Sequence, residues 1–125
     1  MRIVNPIAIL GEKKACEYLK KLGFKIIDRN YRKGYGEIDI VAIEETKNDG
    51  KVLVFVEVKT RTSNQFGSPL EGITYWKLKS LIKMAQFYKL THHNLPESLR
   101  IDAVSVTLNG NQVQAIELTR NISGF

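Results

Sequence analysis

Two residues of opposite charge end an apolar run near the middle of the chain. Residues 52–56 are Val, Leu and Phe without interruption, a composition typical of a strand that is covered on both faces. Glu57 and Lys59 follow, and because side chains alternate along a strand, both lie on the same face. The pair either belongs to a catalytic site or forms a structural ion pair at the end of the strand.

A second carboxylate lies on the strand that precedes this one. In segment 36–44, Asp39 shares one face with Glu37. The other face of that segment is apolar and carries Ile38, Ile40 and Ala42. The polar turn that follows contains "NDG", which predicts a hairpin between strands 36–44 and 51–59. In such a hairpin Asp39 can lie close to Glu57.

A third carboxylate lies on the first predicted helix, 6–22. The apolar stripe of this helix lacks one member between Ala8 and Ala15, and Glu12 occupies that position. Glu12 is therefore expected on the side of the helix that faces the sheet, where exposure to solvent is a poor explanation for a charged residue.

Three carboxylates in one half-buried place would raise each other's pKa values unless a cation were present. Lys59 offsets only one negative charge. Oxygen ligands without thiolate or imidazole suit Mg²⁺ or Mn²⁺ rather than zinc, and Mg²⁺ commonly takes one or two carboxylates together with water and substrate phosphate. The set Glu12, Asp39, Glu57 and Lys59 therefore favours metal-dependent hydrolysis of a phosphodiester over a structural ion pair.

The elements that must position these residues follow an order typical of an α/β domain. The predicted order is α β β β α β β, with helices 6–22 and 69–90 and strands 24–34, 36–44, 51–59, 100–108 and 113–119. Asn5 caps the first helix and Gly23 ends it, whereas Ser68 caps the second and Pro69 opens it. A strand, a long helix and another strand suggest a parallel pair, so we expect a central mixed β-sheet flanked by α-helices.

The composition of the chain restricts its class and its partners. At 125 residues it is predicted to be a single domain, 1–125, and its one cysteine, Cys16, excludes a disulfide framework. No apolar run approaches the ~20 residues of a membrane span and no signal peptide is evident, so we expect a cytoplasmic protein. The net charge of +6 favours a polyanionic partner such as nucleic acid.

Five stretches distributed over residues 11–106 form a recognisable pattern: "GEKKACEYLKKLGFKIIDRNYR", "GEIDIVA", "VLVFVEVKTR", "FGSP" and "RIDAVSV". In these stretches the sequence resembles the PD-(D/E)xK nuclease superfamily, and more closely the YraN family of small bacterial proteins. Those proteins are similar to archaeal Holliday junction resolvases. The resemblance implies a restriction-endonuclease-like core, although Ile38 stands where the superfamily motif has proline.

The resemblance also implies roles for the charged residues. The superfamily's metal ligands correspond to Asp39, Glu57 and the Val58 carbonyl, with Glu12 close by, directly or through water. Lys59 would position or deprotonate the attacking water and stabilise the charge that develops on the phosphate.

Further candidates surround this set. Glu37 is a candidate for a further ligand or for support of one, and Thr60 lies where the scissile phosphate is expected. Arg61 could clamp that phosphate, with a solvated arginine as the alternative. The candidates for contact with backbone phosphates elsewhere are Lys77 and a basic strand end formed by Arg29, Arg32 and Lys33.

Two other groups of residues receive structural interpretations. The aromatic side chains of the second helix are expected in the core or at its edge rather than as base-stacking platforms. They are Tyr75, Trp76, Phe87 and Tyr88. Arg100 and Asp102 are expected to form a structural pair.

Together these observations predict a Mg²⁺- or Mn²⁺-dependent endonuclease that hydrolyses DNA, with branched or junction DNA as the substrate that the resemblance implies. Two alternatives stay open: a non-catalytic nucleic-acid-binding or adaptor protein on the same fold, and a nuclease directed at RNA. A homodimer agrees with the resemblance to resolvases, which act as dimers, but the sequence shows no interface.

Overall fold

Seven elements follow one another in the computed structural model of the protein, which describes residues 5–34, 36–63, 67 and 70–124. They are α1 (Pro6–Lys21), β1 (Lys25–Lys33), β2 (Gly36–Thr46), β3 (Gly50–Thr62), α2 (Tyr75–Thr91), β4 (Ser98–Asn109) and β5 (Gln112–Thr119). This is the order of helices and strands that the sequence predicts. Within the described residues, neither helix is long and apolar enough to cross a membrane.

The five strands form one mixed sheet in the order β1-β2-β3-β4-β5. β3 and β4 are parallel, and the other neighbouring pairs are antiparallel. α2 lies in the connection between the parallel strands, which a tight turn cannot join. The predicted α/β class with a central mixed sheet is confirmed, and the strand order is compatible with a restriction-endonuclease-like core.

The two helices cover opposite faces of the sheet, and each closes a hydrophobic core. On the α1 face, Ala15 packs in a cluster with Val54 and Val104. On the α2 face, Leu81 packs in a cluster with Phe55. Because β3 is covered on both sides, its apolar run is continuous rather than alternating.

α1 begins and ends as predicted and touches β3 closely. The Asn5 side chain accepts N–H groups of the first turn, and Gly23 follows the helix with a φ of 97°. A Cβ at Gly11 would lie only 1.9 Å from Thr60 Oγ1, so only glycine allows this approach. The contact brings the next residue, Glu12, to the same end of β3.

α2 begins later than predicted. The expected start, with Ser68 as the cap and Pro69 as the first residue, lies outside the described residues. The helix begins at Tyr75, where the Thr74 side chain caps it by accepting a backbone N–H at 3.1 Å. Residues 70–72 form a turn that includes a glycine, a poor helix former, so the segment before the cap is not helical.

The aromatic side chains of α2 divide between the core and the surface. Tyr88 is buried as predicted, with its ring 5.6 Å from that of Phe55. Tyr75 and Trp76 are instead 67% and 74% exposed, and Phe87 is 42% exposed, so the core interpretation is wrong for these three. The buried stripe of the helix consists of Leu81, Met84, Ala85 and Tyr88. At about 100° per residue, Trp76 falls on the opposite side of the helix from that stripe.

An ion-pair network lies farther along the sheet. Arg100 donates to both carboxylate oxygens of Asp102 at 2.8 Å, which confirms the predicted pair. Arg100 also donates to Glu44, which accepts from Arg120 at 2.7 Å. Asp102 and Glu44 are buried, so the two arginines offset charges that the interior could not otherwise hold.

Candidate active site

β2 and β3 separate toward one end of the sheet, and a side chain marks the point of separation. Their pairing extends to Ile40 and Val56. Just beyond, Asp39 Oδ2 accepts the Val58 N–H at 2.8 Å, so a carboxylate takes the place of a strand carbonyl. On β1, Asn30 lies opposite Asp39 and has a left-handed φ of 54°. We call the point where β2 and β3 separate, at Asp39 and Val58, the fork.

The fork interrupts the alternation of side chains along β2. Ile38 packs in the core on the α2 face, whereas Ile40 and Ala42 pack on the α1 face. The expectation that all three share one face is therefore wrong for Ile38. The cause is that Asp39 replaces the regular ladder to β3 with a side-chain hydrogen bond.

A cleft of about 780 Å³ opens at the fork and receives side chains from both helices and from β1, β2 and β3. It brings together eight of the predicted site residues, namely Glu12, Arg32, Glu37, Asp39, Glu57, Val58, Thr60 and Lys77. Lys33, Lys59 and Arg61 are not among the residues that line it. The convergence of elements distant in sequence is what the strand and helix patterns predict.

Burial raises the pKa of Asp39 above its ordinary value, against the lowering effect of the hydrogen bond from Val58 N–H. The negative charge of Glu37 raises this pKa further, while Lys77 and Lys59 lower it. Asp39 Oδ2 is occupied by the backbone donor. A cation would therefore be bound chiefly through Oδ1.

The fold holds Glu57 at an electrostatic cost. Burial, and after it the charge of Asp39, raises its pKa to about 7. Two ammonium groups oppose this shift from the same side, because Lys77 Nζ lies 3.7 Å and Lys59 Nζ 3.9 Å from Glu57 Oε1. The other oxygen, Oε2, is buried and has no hydrogen-bond partner among the described residues. A buried acceptor left in this way is unfavourable unless something binds it.

The chemistry of this donor set fits a divalent cation. Glu57 Oε2 is a buried carboxylate oxygen with a place for a ligand, and Asp39 is the charge beside it that shifts its pKa. Mg²⁺ commonly takes one or two protein carboxylates and completes its shell with water and phosphate oxygens. Within the described residues no three His, Cys, Asp or Glu side chains are grouped closely enough to hold a metal ion. Glu12 thus lines the cleft without forming the predicted three-acid cluster.

The two lysines near Glu57 occupy different environments. Lys77 projects from the first turn of α2 and lines the cleft. Lys59 packs toward the loop after β3, where a Cβ on Gly72 would lie 3.3 Å from its Nζ. Lys59 is thus beside Glu57, as expected, but Lys77 is the ammonium that faces the open space.

The basic residues of β1 reach the cleft unequally. Arg32 lines it and forms an ion pair with Glu37, with Nη2 3.2 Å from Oε1. Lys33 is exposed and pairs with Gly36 at the end of the β1–β2 ladder, away from the cleft. Of the two, only Arg32 is placed to meet a phosphate in the cleft.

The two residues after Lys59 face different surroundings. Thr60 lines the cleft and packs against Gly11 of α1. Arg61 donates from Nη1 to the Gly67 carbonyl at 2.7 Å. The structure therefore gives Arg61 a partner in the protein and does not bring it to the cleft.

A polar residue of the cleft, Asn30, is missing from the sequence-based set. It lines the cleft from β1, as Arg29 does, and its Oδ1 is a buried acceptor without a hydrogen-bond partner among the described residues. A signal was available, because a tight β1–β2 hairpin places Asn30 opposite Asp39. Asparagine is also among the few non-glycine residues that tolerate a left-handed φ.

Comparison with known proteins identifies the family. The family model described as "Uncharacterised protein family UPF0102" matches residues 11–106. The chain belongs to the UPF0102, or YraN, family. The predicted YraN relationship is thereby confirmed, whereas the wider resemblance to PD-(D/E)xK nucleases stays a prediction.

Members of the UPF0102 family match nearly the whole chain. The UPF0102 protein of Caldicellulosiruptor saccharolyticus is 43% identical over 112 residues, which cover 89% of this chain and 91% of the relative. The UPF0102 protein of Caldanaerobacter subterraneus is 35% identical over 127 residues, with complete coverage of both chains. Among solved structures, Pyrococcus furiosus SfsA in complex with Ca²⁺ matches with a TM-score of 0.32 and 18% identity, over 87% of this chain and 62% of that one. A likeness this weak carries no argument.

Proposed function

We propose that the protein is a Mg²⁺- or Mn²⁺-dependent nuclease that hydrolyses phosphodiester bonds of DNA in the cytoplasm, branched or junction DNA included. The observation that carries the proposal is Glu57 Oε2, a buried carboxylate oxygen without a described hydrogen-bond partner, in an acid whose pKa is raised to about 7. It lies in an open cleft next to a second, half-buried acid, Asp39. Such strongly perturbed acids in clefts are concentrated at functional sites.

A structural ion pair explains this arrangement poorly. Both ammonium groups approach Oε1, so they leave Oε2 without compensation. Two lysines beside one glutamate also fail to bring its pKa back to the ordinary 4.5. A residue that served stability alone would be better replaced by a neutral one, so a local conflict of this kind favours a functional role.

The residues that would hold the metal are Asp39, Glu57 and the Val58 carbonyl, and Glu12, which lines the same cleft, would act through water. When bound, the ion would supply an activated water and offset the negative charge of the phosphate. The chain's own contribution is rigidity, since Glu57 extends directly from a strand that is buried on both faces.

The cationic side chains would bind and orient the phosphate. Lys77 faces the cleft and would contact a nonbridging oxygen of the phosphate. Arg32 also lines the cleft and would contact the nucleic-acid strand next to that phosphate. Lys59, held beside Glu57 Oε1, would orient that acid and the attacking water. The net charge of +6 suits the approach of a polyanion to this surface.

Cleavage of end-labelled single-stranded, duplex, flapped and four-way-junction DNA, and of RNA, with Mg²⁺ or Mn²⁺ tests the proposal. The decisive variant is Asp39→Asn, because asparagine still accepts the Val58 N–H through its amide oxygen and so keeps the fork intact. Glu45→Gln is the matched control, since Glu45 lies on the same strand and is exposed.

We expect metal-dependent cleavage by the wild type and by Glu45→Gln, and its loss in Asp39→Asn. Cutting of RNA alone would redirect the proposal to an RNA nuclease. Intact binding with no cutting of any substrate would favour the nucleic-acid-binding or adaptor alternative. Size-exclusion chromatography of the same samples would show whether the active species is a homodimer.

A further inference from the structure

Two large aromatic side chains lie open to solvent at the start of α2, the helix that contributes Lys77 to the cleft. Tyr75 and Trp76 form the first two residues of α2, are 67% and 74% exposed, and meet edge to face with their centroids 5.3 Å apart. The residue that follows them is Lys77, which lines the cleft and lies 3.7 Å from Glu57 Oε1. The aromatic pair is thus one residue along the helix from the proposed site.

The surroundings of this pair are cationic. α2 contains four lysines and no Asp or Glu over its 17 residues. Lys79 Nζ lies 5.8 Å from the Tyr75 ring centroid and 6.0 Å from that of Trp76. Trp76, Lys79 and Lys83 line a shallow pocket of about 250 Å³ on the outer side of the helix. A ligand that reached the Trp76 ring would therefore meet the positive charges of Lys79 and Lys83 beside it.

We propose that Tyr75 and Trp76 stack an unpaired nucleobase of the strand whose phosphate enters the cleft, so that the substrate class is single-stranded or branched nucleic acid. This inference rests on the proposed function of the cleft. Aromatic faces alternating with lysines suit single strands, because every base has a face to stack and every nucleotide has a phosphate to pair. The bases of a regular duplex are already stacked on each other and cannot use this surface.

The charge of α2 also bears on the main competing occupant, a second copy of the chain. A two-fold contact places the same surface of each copy against the other. Here it would bring lysines against lysines, with no acidic residue on the helix to offset them. Like-charge contacts of this kind disfavour association, whereas a polyanion is complementary to the same surface.

The test is binding rather than cleavage and is made in EDTA, so that no substrate is consumed. Trp76 is the only tryptophan of the chain, and its fluorescence therefore reports directly on the aromatic pair formed by Tyr75 and Trp76, which we call the platform. We expect saturable quenching by a single-stranded oligothymidylate and little change with a duplex of the same length. In anisotropy titrations, Trp76→Ala should weaken single-strand binding roughly tenfold and alter duplex binding by no more than about twofold.

Two further variants make the result specific. Trp76→Phe keeps an aromatic face and should recover most of the single-strand affinity. Phe87→Ala is the matched control, because Phe87 is an exposed aromatic residue of the same helix, three turns away, and its loss should leave binding unchanged. Both side chains, Trp76 and Phe87, are exposed, so these changes leave the core untouched.

The proposal is overturned if Trp76→Ala weakens single-strand and duplex binding equally, or if it has no effect on either. Conversion of a dimer to a monomer by Trp76→Ala, with binding unchanged, would assign the aromatic pair to an interface between copies instead. Failure of the nuclease proposal has a different signature, since platform-dependent binding would persist without any cleavage. Cleavage with no preference for unpaired strands would overturn only the proposed base stacking by Tyr75 and Trp76.

Discussion

Replacing Glu57 with Gln should stabilise the protein at neutral and alkaline pH. The variant keeps the shape of the side chain but cannot ionise, so it removes a buried charge. The pKa of Glu57 is about 7 in the folded protein, against an ordinary value of 4.5. At about 1.4 kcal/mol per pH unit, this difference corresponds to about 3 kcal/mol.

The direction of the effect follows from proton binding. Between pH 4.5 and about 7, the folded protein keeps a proton on Glu57 that the unfolded chain has released. The free energy of unfolding therefore falls as the pH rises through this window, and the loss is complete above it. Below pH 4.5 the group is protonated in both states, so the wild type and the variant should be about equally stable.

Urea unfolding at a series of pH values measures this difference directly. The stability of Glu57→Gln relative to the wild type should grow by about 3 kcal/mol between pH 4.5 and about pH 8. Glu45→Gln, an exposed acid on β2, should follow the wild type throughout. Millimolar Mg²⁺ should raise the stability of the wild type at the higher pH and leave Glu57→Gln nearly unchanged. Parallel pH profiles for the wild type and Glu57→Gln would refute the electrostatic account of the site.

Two other substitutions probe the cleft and its support. Lys77→Gln should weaken nucleic-acid binding and reduce the slope of log affinity against log salt by about 0.7 for single strands. Lys47 lies in the β2–β3 turn, and Lys47→Gln should leave this slope unchanged. Equal slopes for the two variants would show that Lys77 does not contact a phosphate. Gly11→Ala should destabilise the protein by about 1–3 kcal/mol, despite alanine's higher helix propensity, because its Cβ would overlap Thr60. In a double-mutant cycle followed by urea unfolding, Thr60→Gly should restore at least about 1 kcal/mol of the stability that Gly11→Ala removes. If the effects of the two substitutions simply add, the overlap with Thr60 is harmless.

Much of the fold follows from local patterns. The N-cap at Asn5, the β2–β3 turn with "NDG" and the β4–β5 turn at residues 109–111 act within a few residues, so they are readable without the rest of the chain. Glu12 lines the cleft, and the gap in the apolar stripe that it fills is a local signal with a direction in space.

The errors have physical causes that a local pattern does not contain. Ile38 changes face because a side chain, Asp39, replaces a backbone acceptor, and strand alternation assumes an unbroken ladder. The hydrogen bond from Arg61 to the Gly67 carbonyl is likewise a contact that no local pattern contains.

Trp76 shows a different kind of error. Its apolar ring suggested burial, but the stripe that includes Leu81, Ala85 and Tyr88 already placed it on the opposite side of the helix. Where the two criteria conflict, as they do here, the angular position of a residue was the better guide than its hydrophobicity.

The fork has a consequence for how selection acts on the two acids. Asp39 has a structural use, since a residue without an acceptor at this position would leave the Val58 N–H without its hydrogen-bond partner. An oxygen at this position would be retained even in a relative that had lost all activity. Glu57 has no such use for Oε2, and a neutral side chain would make the folded chain more stable. Drift would therefore remove Glu57 first, and its persistence in a lineage would be the better record that the cleft is still in use.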